Sequence, residues 1–334
     1  MDRNAVIIIT GAAGFIGSCL TGYLNRKGYY NIIIVDDFSD ESKRHNYEEK
    51  KICARVDRDE LFDWLNRYKI RIDFVFHLGA HVGYNHADSS VFERLNIEYS
   101  KQVWNYCKDK HIPLVFASSD STYGLGEKGF SDFELPEKLN PVDAYGVSKN
   151  EFDKWALRQS NELKSPSFWA GLKFFDVYGP NEYHKGKFAS SVYHSFQQAD
   201  TEGKIKLFKS ENTRYQNGDQ RRDFVYVKDV VDVCYWLMQK SAEEENDFVS
   251  GFYNVGTGKT RTFNEMAEAI SKSLDKKISI EYTEPSENSR TFYSNFSEGE
   301  IKKLKEAGYN KKFYSLEDGV RTYVQNFLLS NKYY

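Results

Sequence analysis

The sequence predicts an α/β protein in which a doubly wound parallel sheet carries a smaller α/β substrate-binding domain. Three observations lead there. The β-branched run Val6-Ile7-Ile8-Ile9 passes directly into Thr10-Gly11-Ala12-Ala13-Gly14-Phe15-Ile16-Gly17, the pattern of a buried strand, a glycine turn and a helix. A second apolar run, Ile32-Ile33-Ile34-Val35, follows at the spacing of a strand–helix–strand unit and ends in Asp36-Asp37. Later runs at 73–80, 114–117 and 170–175 close on small or polar residues, as parallel strands do where a sheet opens onto a ligand. Residues 1–176 and about 221–250 are expected to build the sheet domain, and about 177–220 and 251–334 the substrate domain.

Composition narrows the function classes. With 334 residues the chain can bury a sizeable core. A net charge of −3 with no basic excess argues against nucleic acid or an anionic membrane as the main partner. Cys19, Cys53, Cys107 and Cys234 have no metal-ligand spacing and read as reduced thiols of a cytoplasmic protein. No apolar run approaches the length of a membrane span, and 6–9 is too short for a signal peptide. His81 and His86 lack a third ligand at a suitable spacing, so no metal is expected.

Taken in order, Gly11 allows the tight turn, Gly14 lets backbone approach a pyrophosphate, and Gly17 lets helix pack on strand, with Phe15 and Ile16 opening the helix toward the phosphates. This is the dinucleotide-binding, Rossmann-type arrangement. Asp36 and Asp37 stand where a carboxylate accepts the adenosine ribose 2′-hydroxyl of NAD. Lys43 and Arg44 would reach a 2′-phosphate, so NAD and NADP both remain open. Leu78, Ala80 and Asn96 belong to the third strand's end and the helix beyond it, on the cofactor side. His77 reads as a hydrogen-bonded strand-end residue, and the polar loop 81–90 places His81 toward substrate.

The run 114–117 delivers Ser119 at the C-terminal edge of the sheet. Asp143 lies near the start of a helix expected over 145–157, on which Tyr145 and Lys149 are four residues apart and share a face. A phenol titrates near ~10, and a neighbouring ammonium favours its anion, which makes Tyr145 a base for a hydroxyl held by Ser119. Further on, 224–227 reads as a strand, Asp229 as the cap of a helix over 230–239, 262–274 as a surface helix, and the polar stretch 207–221 as a flap.

Together, the glycine turn, Ser119 with Tyr145-Gly146-Val147-Ser148-Lys149, Asp176-Val177-Tyr178-Gly179-Pro180 and Arg222-Asp223-Phe224-Val225-Tyr226-Val227-Lys228-Asp229 resemble the extended short-chain dehydrogenase/reductase family, in its branch acting on nucleotide sugars. That resemblance implies a tightly bound NAD or NADP, a nucleotide-diphosphate sugar as substrate, a homo-oligomer, and Lys149 on the nicotinamide ribose. The same resemblance puts Arg222 on the sugar-nucleotide diphosphate. Within the branch, Tyr183-His184-Lys185-Gly186-Lys187 is most similar to the ADP-glyceromanno-heptose 6-epimerases, which implies Lys185 as a second base; the alternative reading of His184-Lys185-Gly186-Lys187 is a cationic loop, with Lys187, that attracts the diphosphate. Arg290 is a second candidate for the nucleotide phosphates, against a surface salt bridge. Asp176 departs from the asparagine usual there. Asp120 follows the serine where related 4,6-dehydratases carry an acid, but Ser121 replaces their glutamate; both aspartates are expected to meet substrate.

Overall fold

The computed structural model of the chain describes residues 1–83, 89–245, 247–284 and 295–334. Seven parallel strands form its central sheet: β1 (Ile7–Thr10), β2 (Ile32–Asp36), β3 (Ala54–Asp57), β4 (Phe74–His77), β5 (Leu114–Ser119), β6 (Trp169–Phe174) and the late strand Gly251–Val255. Across the sheet the order is Gly251–Val255, β6, β5, β4, β1, β2, β3. The winding reverses between β1 and β4, and a crevice opens beyond their carboxyl ends.

Alternation of side chains explains why the strands are continuously apolar. Ile7, Ile9, Ile32 and Ile34 enter one buried layer with Leu20 of α1 (Phe15–Arg26) and Val230 of the helix Val227–Lys240. Ile8, Ile33 and Val35 enter the layer on the opposite face with Trp104, Phe116 and Phe152. Both faces are covered, so neither residue set is polar. The edge strand β3 buries only Val56 among its four residues and has little apolar signature.

Beyond β6 the chain builds a second region from short strand pairs. Asp176–Tyr178 runs parallel to Phe224–Tyr226, Arg221–Arg222 antiparallel to Arg261–Thr262, and Lys204–Phe208 parallel to Ser279–Thr283. Three expectations need correction. Gly251–Val255 pairs with β6 along its whole length, so residues assigned to the substrate domain complete the main sheet. The helix expected from Val230 begins at Val227, and Asp229 lies in its first turn, where its carboxylate accepts the Tyr314 N–H at 2.8 Å instead of capping the helix. Leu207 and Phe208, placed in a flap, finish a strand paired with Tyr282 and Thr283.

Candidate active site

A cleft of about 710 Å³ opens at the carboxyl ends of β1, β2, β4 and β5. Gly11 has φ +69°, and a Cβ there would collide with the Gly79 backbone, while a Cβ on Gly17 would collide with the Gly11 carbonyl. These two glycines serve close packing of the chain on itself. Gly14 differs: a Cβ there would meet only the Gly11 carbonyl at 3.2 Å, and Gly14 lines the cleft together with Phe15, Ile16 and Gly17. As N-cap of α1, Gly14 supplies no side-chain acceptor, so the first-turn amides are left for a ligand. That cradle fits a pyrophosphate.

At the end of β2, Asp36 accepts the Ala13 N–H at 2.9 Å and pairs with Lys43 at 3.1 Å. Asp37 accepts the Ser39 N–H at 3.1 Å and pairs with Arg58 at 3.1 Å. The Ser39 hydrogen bonds chiefly, helped by Arg58 and Lys43, hold Asp37 below the usual carboxylate range. Arg44 takes no part, since its guanidinium turns to Glu48 at 3.0 Å. Arg58 lines the cleft and is a residue the sequence reading missed; recognising β3, which it directly follows, would have exposed it.

The reactive end is built by β5 and the helix Ala144–Asn161. Asp143 caps that helix by accepting the Gly146 N–H at 2.7 Å, which puts Tyr145 in the first turn and Lys149 one turn later. Ser119 ends β5; its Oγ accepts the Ser121 N–H at 3.1 Å and lies 3.3 Å from Asp120 Oδ1. Burial first, then the charges of Asp120 and Asp143, push the Tyr145 phenol upward, against a hydrogen bond from Ser119. The expected lowering by Lys149 does not prevail in this balance. Lys149 itself is buried, and burial brings its ammonium down to about 8, with Lys173 adding and Asp153 opposing.

One expected cofactor-side residue, Asn96, acts at one remove, and His77 is a hydrogen-bonded strand-end residue. Asn96 is fully buried in the π-turn Glu93–Glu98. It accepts the His81 N–H at 2.7 Å and donates to His81 O at 3.0 Å and Ser148 Oγ at 2.9 Å. It therefore ties the wall of the cleft to the Tyr145 helix rather than facing the cleft. His77 bridges Thr10 Oγ1 at 2.7 Å and Ser100 Oγ at 2.8 Å, and burial, with the Lys149 charge, brings it down to about 3. Leu78, Ala80 and His81 line the cleft as expected.

His184 and Lys185 line the cleft from the loop after Gly179-Pro180. Glu182, wholly buried, fixes that loop by accepting the Gly179 N–H at 3.1 Å and the Ser190 hydroxyl at 2.8 Å. Burial lowers Lys185, with Glu182 opposing. Lys187 is exposed and lies over the Phe188 ring at 5.1 Å, apart from the cleft lining. Asp120 lines the cleft; Asp176 stands behind it, 3.7 Å from Arg222 Nε and 3.4 Å from the Ser297 hydroxyl. Burial raises both carboxyls, and Arg222 opposes it at each. His86 and Arg290 lie outside the described residues.

Residues 7–256 match the model of the NAD dependent epimerase/dehydratase family. The chain belongs to that family. Among relatives, the ADP-L-glycero-D-manno-heptose-6-epimerase of Fusobacterium nucleatum is 42% identical over 98% of this chain and 100% of its own. The enzyme of the same name from Nitratidesulfovibrio vulgaris is 39% identical over 96% and 97%. Among solved family folds, the Helicobacter pylori ADP-L-glycero-D-manno-heptose-6-epimerase superposes with a TM-score of 0.78 at 25% identity, covering 97% of both chains. A UDP-N-acetylglucosamine 4-epimerase from Methanobrevibacter ruminantium shares the fold, with a TM-score of 0.79 at 22% identity over 99% of this chain and 100% of that one. Among the described residues, no helix is long and apolar enough to cross a membrane.

Proposed function

We propose that this chain inverts C6 of an ADP-linked glyceromanno-heptose, oxidising and re-reducing that carbon in one site with a tightly held NAD or NADP. The observation that carries the reading is that Tyr145 and Lys185, supplied by separate elements, line a single cleft whose glycine turn suits a dinucleotide. The full-length relatives with heptose epimerase names support the choice of sugar.

The first turn of α1 would hold the pyrophosphate, Asp36 and Asp37 the adenosine ribose, and Lys149 the nicotinamide ribose. Lys43 and Arg58 are the cations that a 2′-phosphate would have to recruit from their carboxylates. When bound, the nicotinamide would supply the hydride acceptor and donor for the sugar carbon, so that net redox change is zero. Tyr145 Oη removes the hydroxyl proton while Ser119 Oγ–H donates to the same oxygen. After the ketone turns over, the Lys185 ammonium gives a proton to that oxygen as the opposite face is reduced. A one-site inversion needs proton carriers on both sides of the carbon. Arg222, Arg290 and Lys187 would neutralise the diphosphate. A cytoplasmic homo-oligomer, paired through helices flanking the sheet, completes the reading.

The test is to incubate the protein with ADP-glyceromanno-heptose in deuterated water and follow products by NMR and mass spectrometry. Inversion at C6 with unchanged mass and no carbon-bound deuterium is expected. Loss of water with deuterium gained at C5 would overturn the epimerase reading and make Asp120 the acid of a dehydration.

A further inference from the structure

A two-base inversion leaves its site in a protonation state other than the one it began with. Tyr145 ends as a phenol and Lys185 as a neutral amine, whereas the next turnover needs a phenolate and an ammonium. The tyrosine must therefore hand a proton to water once per cycle. Ser119 and Tyr145 line the same cleft as Asp120, and the Ser119 Oγ lies 3.3 Å from Asp120 Oδ1 and 3.1 Å from Ser121 Oγ. Asp120 is partly exposed in the same cleft, so its carboxyl touches both the serine and the route to solvent.

We propose that Asp120 resets Tyr145 between turnovers, taking the phenol's proton through the Ser119 hydroxyl; this rests on the two-base reading above. Tyr145 Oη–H gives its proton to Ser119 Oγ as Ser119 Oγ–H gives its own to Asp120 Oδ1. One O–H bond breaks and one forms at the serine, leaving a phenolate, an intact hydroxyl and a neutral carboxylic acid. Asp120 then loses the proton to water in the cleft and Lys185 takes one from water, which restores the starting charge.

The surroundings suit that task. Burial, Asp176 and Asp223 raise the proton affinity of Asp120, while Arg222 and the Ser119 hydrogen bond oppose them. A carboxyl held above its ordinary range is closer to a phenol than an exposed one is, which eases transfer between them. Ionised Asp120 is also the leading charge that raises the Tyr145 phenol. Protonating Asp120 removes that influence, so the transfer itself stabilises the phenolate it creates. Asp143 and Asp153 on the Tyr145 helix act on the phenol in the same sense, and Tyr123 is the other titratable neighbour that feels Asp120.

Asp120→Asn keeps the size and a hydrogen-bond partner for Ser119 but removes the proton acceptor. With ADP-glyceromanno-heptose, the first-turnover rate from rapid quench is compared with the steady-state rate. The steady-state rate is expected to fall on the order of tenfold further than the first-turnover rate, and added formate is expected to restore it in the variant alone. Asp120→Glu, which retains an acceptor, should recover most of the turnover, and thermal unfolding with NADH binding verifies that both variants are folded. Equal loss in the two phases, no loss, or indifference to formate would overturn the relay. A folded wild-type protein that never inverts the heptose would instead overturn the reading on which the relay rests.

Discussion

At the scale of single residues, the site separates groups by what their surroundings do to their protons. Lys185→Met should leave the first hydride transfer in place and remove inversion by roughly 10²–10⁴-fold; absorbance of the reduced cofactor and NMR of C6 read the two separately, and undiminished inversion would sink the second-base role. Lys149 gives a pH signature. Burial holds it at about 8 in the fold, against the ordinary 10.5, so between those values the unfolded chain binds more protons and stability rises with pH. Below about 8 both states carry the charge and this contribution is flat. Urea unfolding across that window should show a stability slope that is more positive with pH in wild type than in Lys149→Met, because the other groups titrating there, such as the buried thiols of Cys19, Cys107 and Cys234 that act in the opposite sense, are common to both proteins; catalysis, which needs the ammonium, declines over the same range. The placement of Tyr145 and Lys149 on one helix and of Ser119 at a strand end was legible because helix spacing and strand ends are written locally. The upward balance on the Tyr145 phenol was not, since Asp120 acts from a separate segment and burial exists only in the fold. Arg58 escaped because it follows an edge strand with one buried side chain.

At the scale of elements, the Tyr145 helix is locked to the sheet by charge as well as by packing. Lys173 of β6 and Asp153 of that helix form a buried ion pair at 2.7 Å; the same lysine donates to Thr122 Oγ1 at 2.7 Å, and Ser118 Oγ donates to the same Asp153 oxygen at 2.7 Å. Removing one partner of such a pair leaves an uncompensated buried charge and costs about 3–5 kcal/mol. Lys173→Met should therefore destabilise strongly, and the double variant Lys173→Met/Asp153→Leu should recover much of the loss in chemical denaturation. If the double variant is as unstable as the single one, the pair is not the source of the cost. A lysine inside an apolar run reads from sequence as an exposed position, so this pair had no sequence signal. The same limit explains Gly251–Val255: only the fold shows that a chain which left the sheet after β6 returns to pair with β6. By contrast β1, β2, β5 and β6 were readable because both of their faces are buried, which forces unbroken apolar runs.

Across the whole molecule, one buried amide joins the two ends of the cleft. Asn46 Nδ2 reaches Ala13 O in the glycine turn at 2.9 Å, Asn181 O at 3.1 Å and His184 Nδ1 at 3.2 Å. Burial, with the charges of Lys43 and Lys185, brings His184 down to about 4, so at neutral pH its imidazole is uncharged and Nδ1 can accept from the amide. The segment proposed to hold the dinucleotide and the loop carrying Lys185 thus share an anchor although they are remote in sequence. A ligand that orders the glycine turn should consequently order that loop, because the carbonyl of Ala13 and the backbone of 181–184 cannot shift independently without breaking hydrogen bonds worth about 1 kcal/mol each. Hydrogen exchange with and without NAD should show added protection at 11–17 and, in wild type, at 181–188 as well. Asn46→Ala should keep the first and lose the second, and its inversion rate should fall while cofactor reduction by the sugar persists. Equal protection of 181–188 in the variant would mean that Glu182 alone fixes the loop, and that cofactor binding and the position of Lys185 are independent.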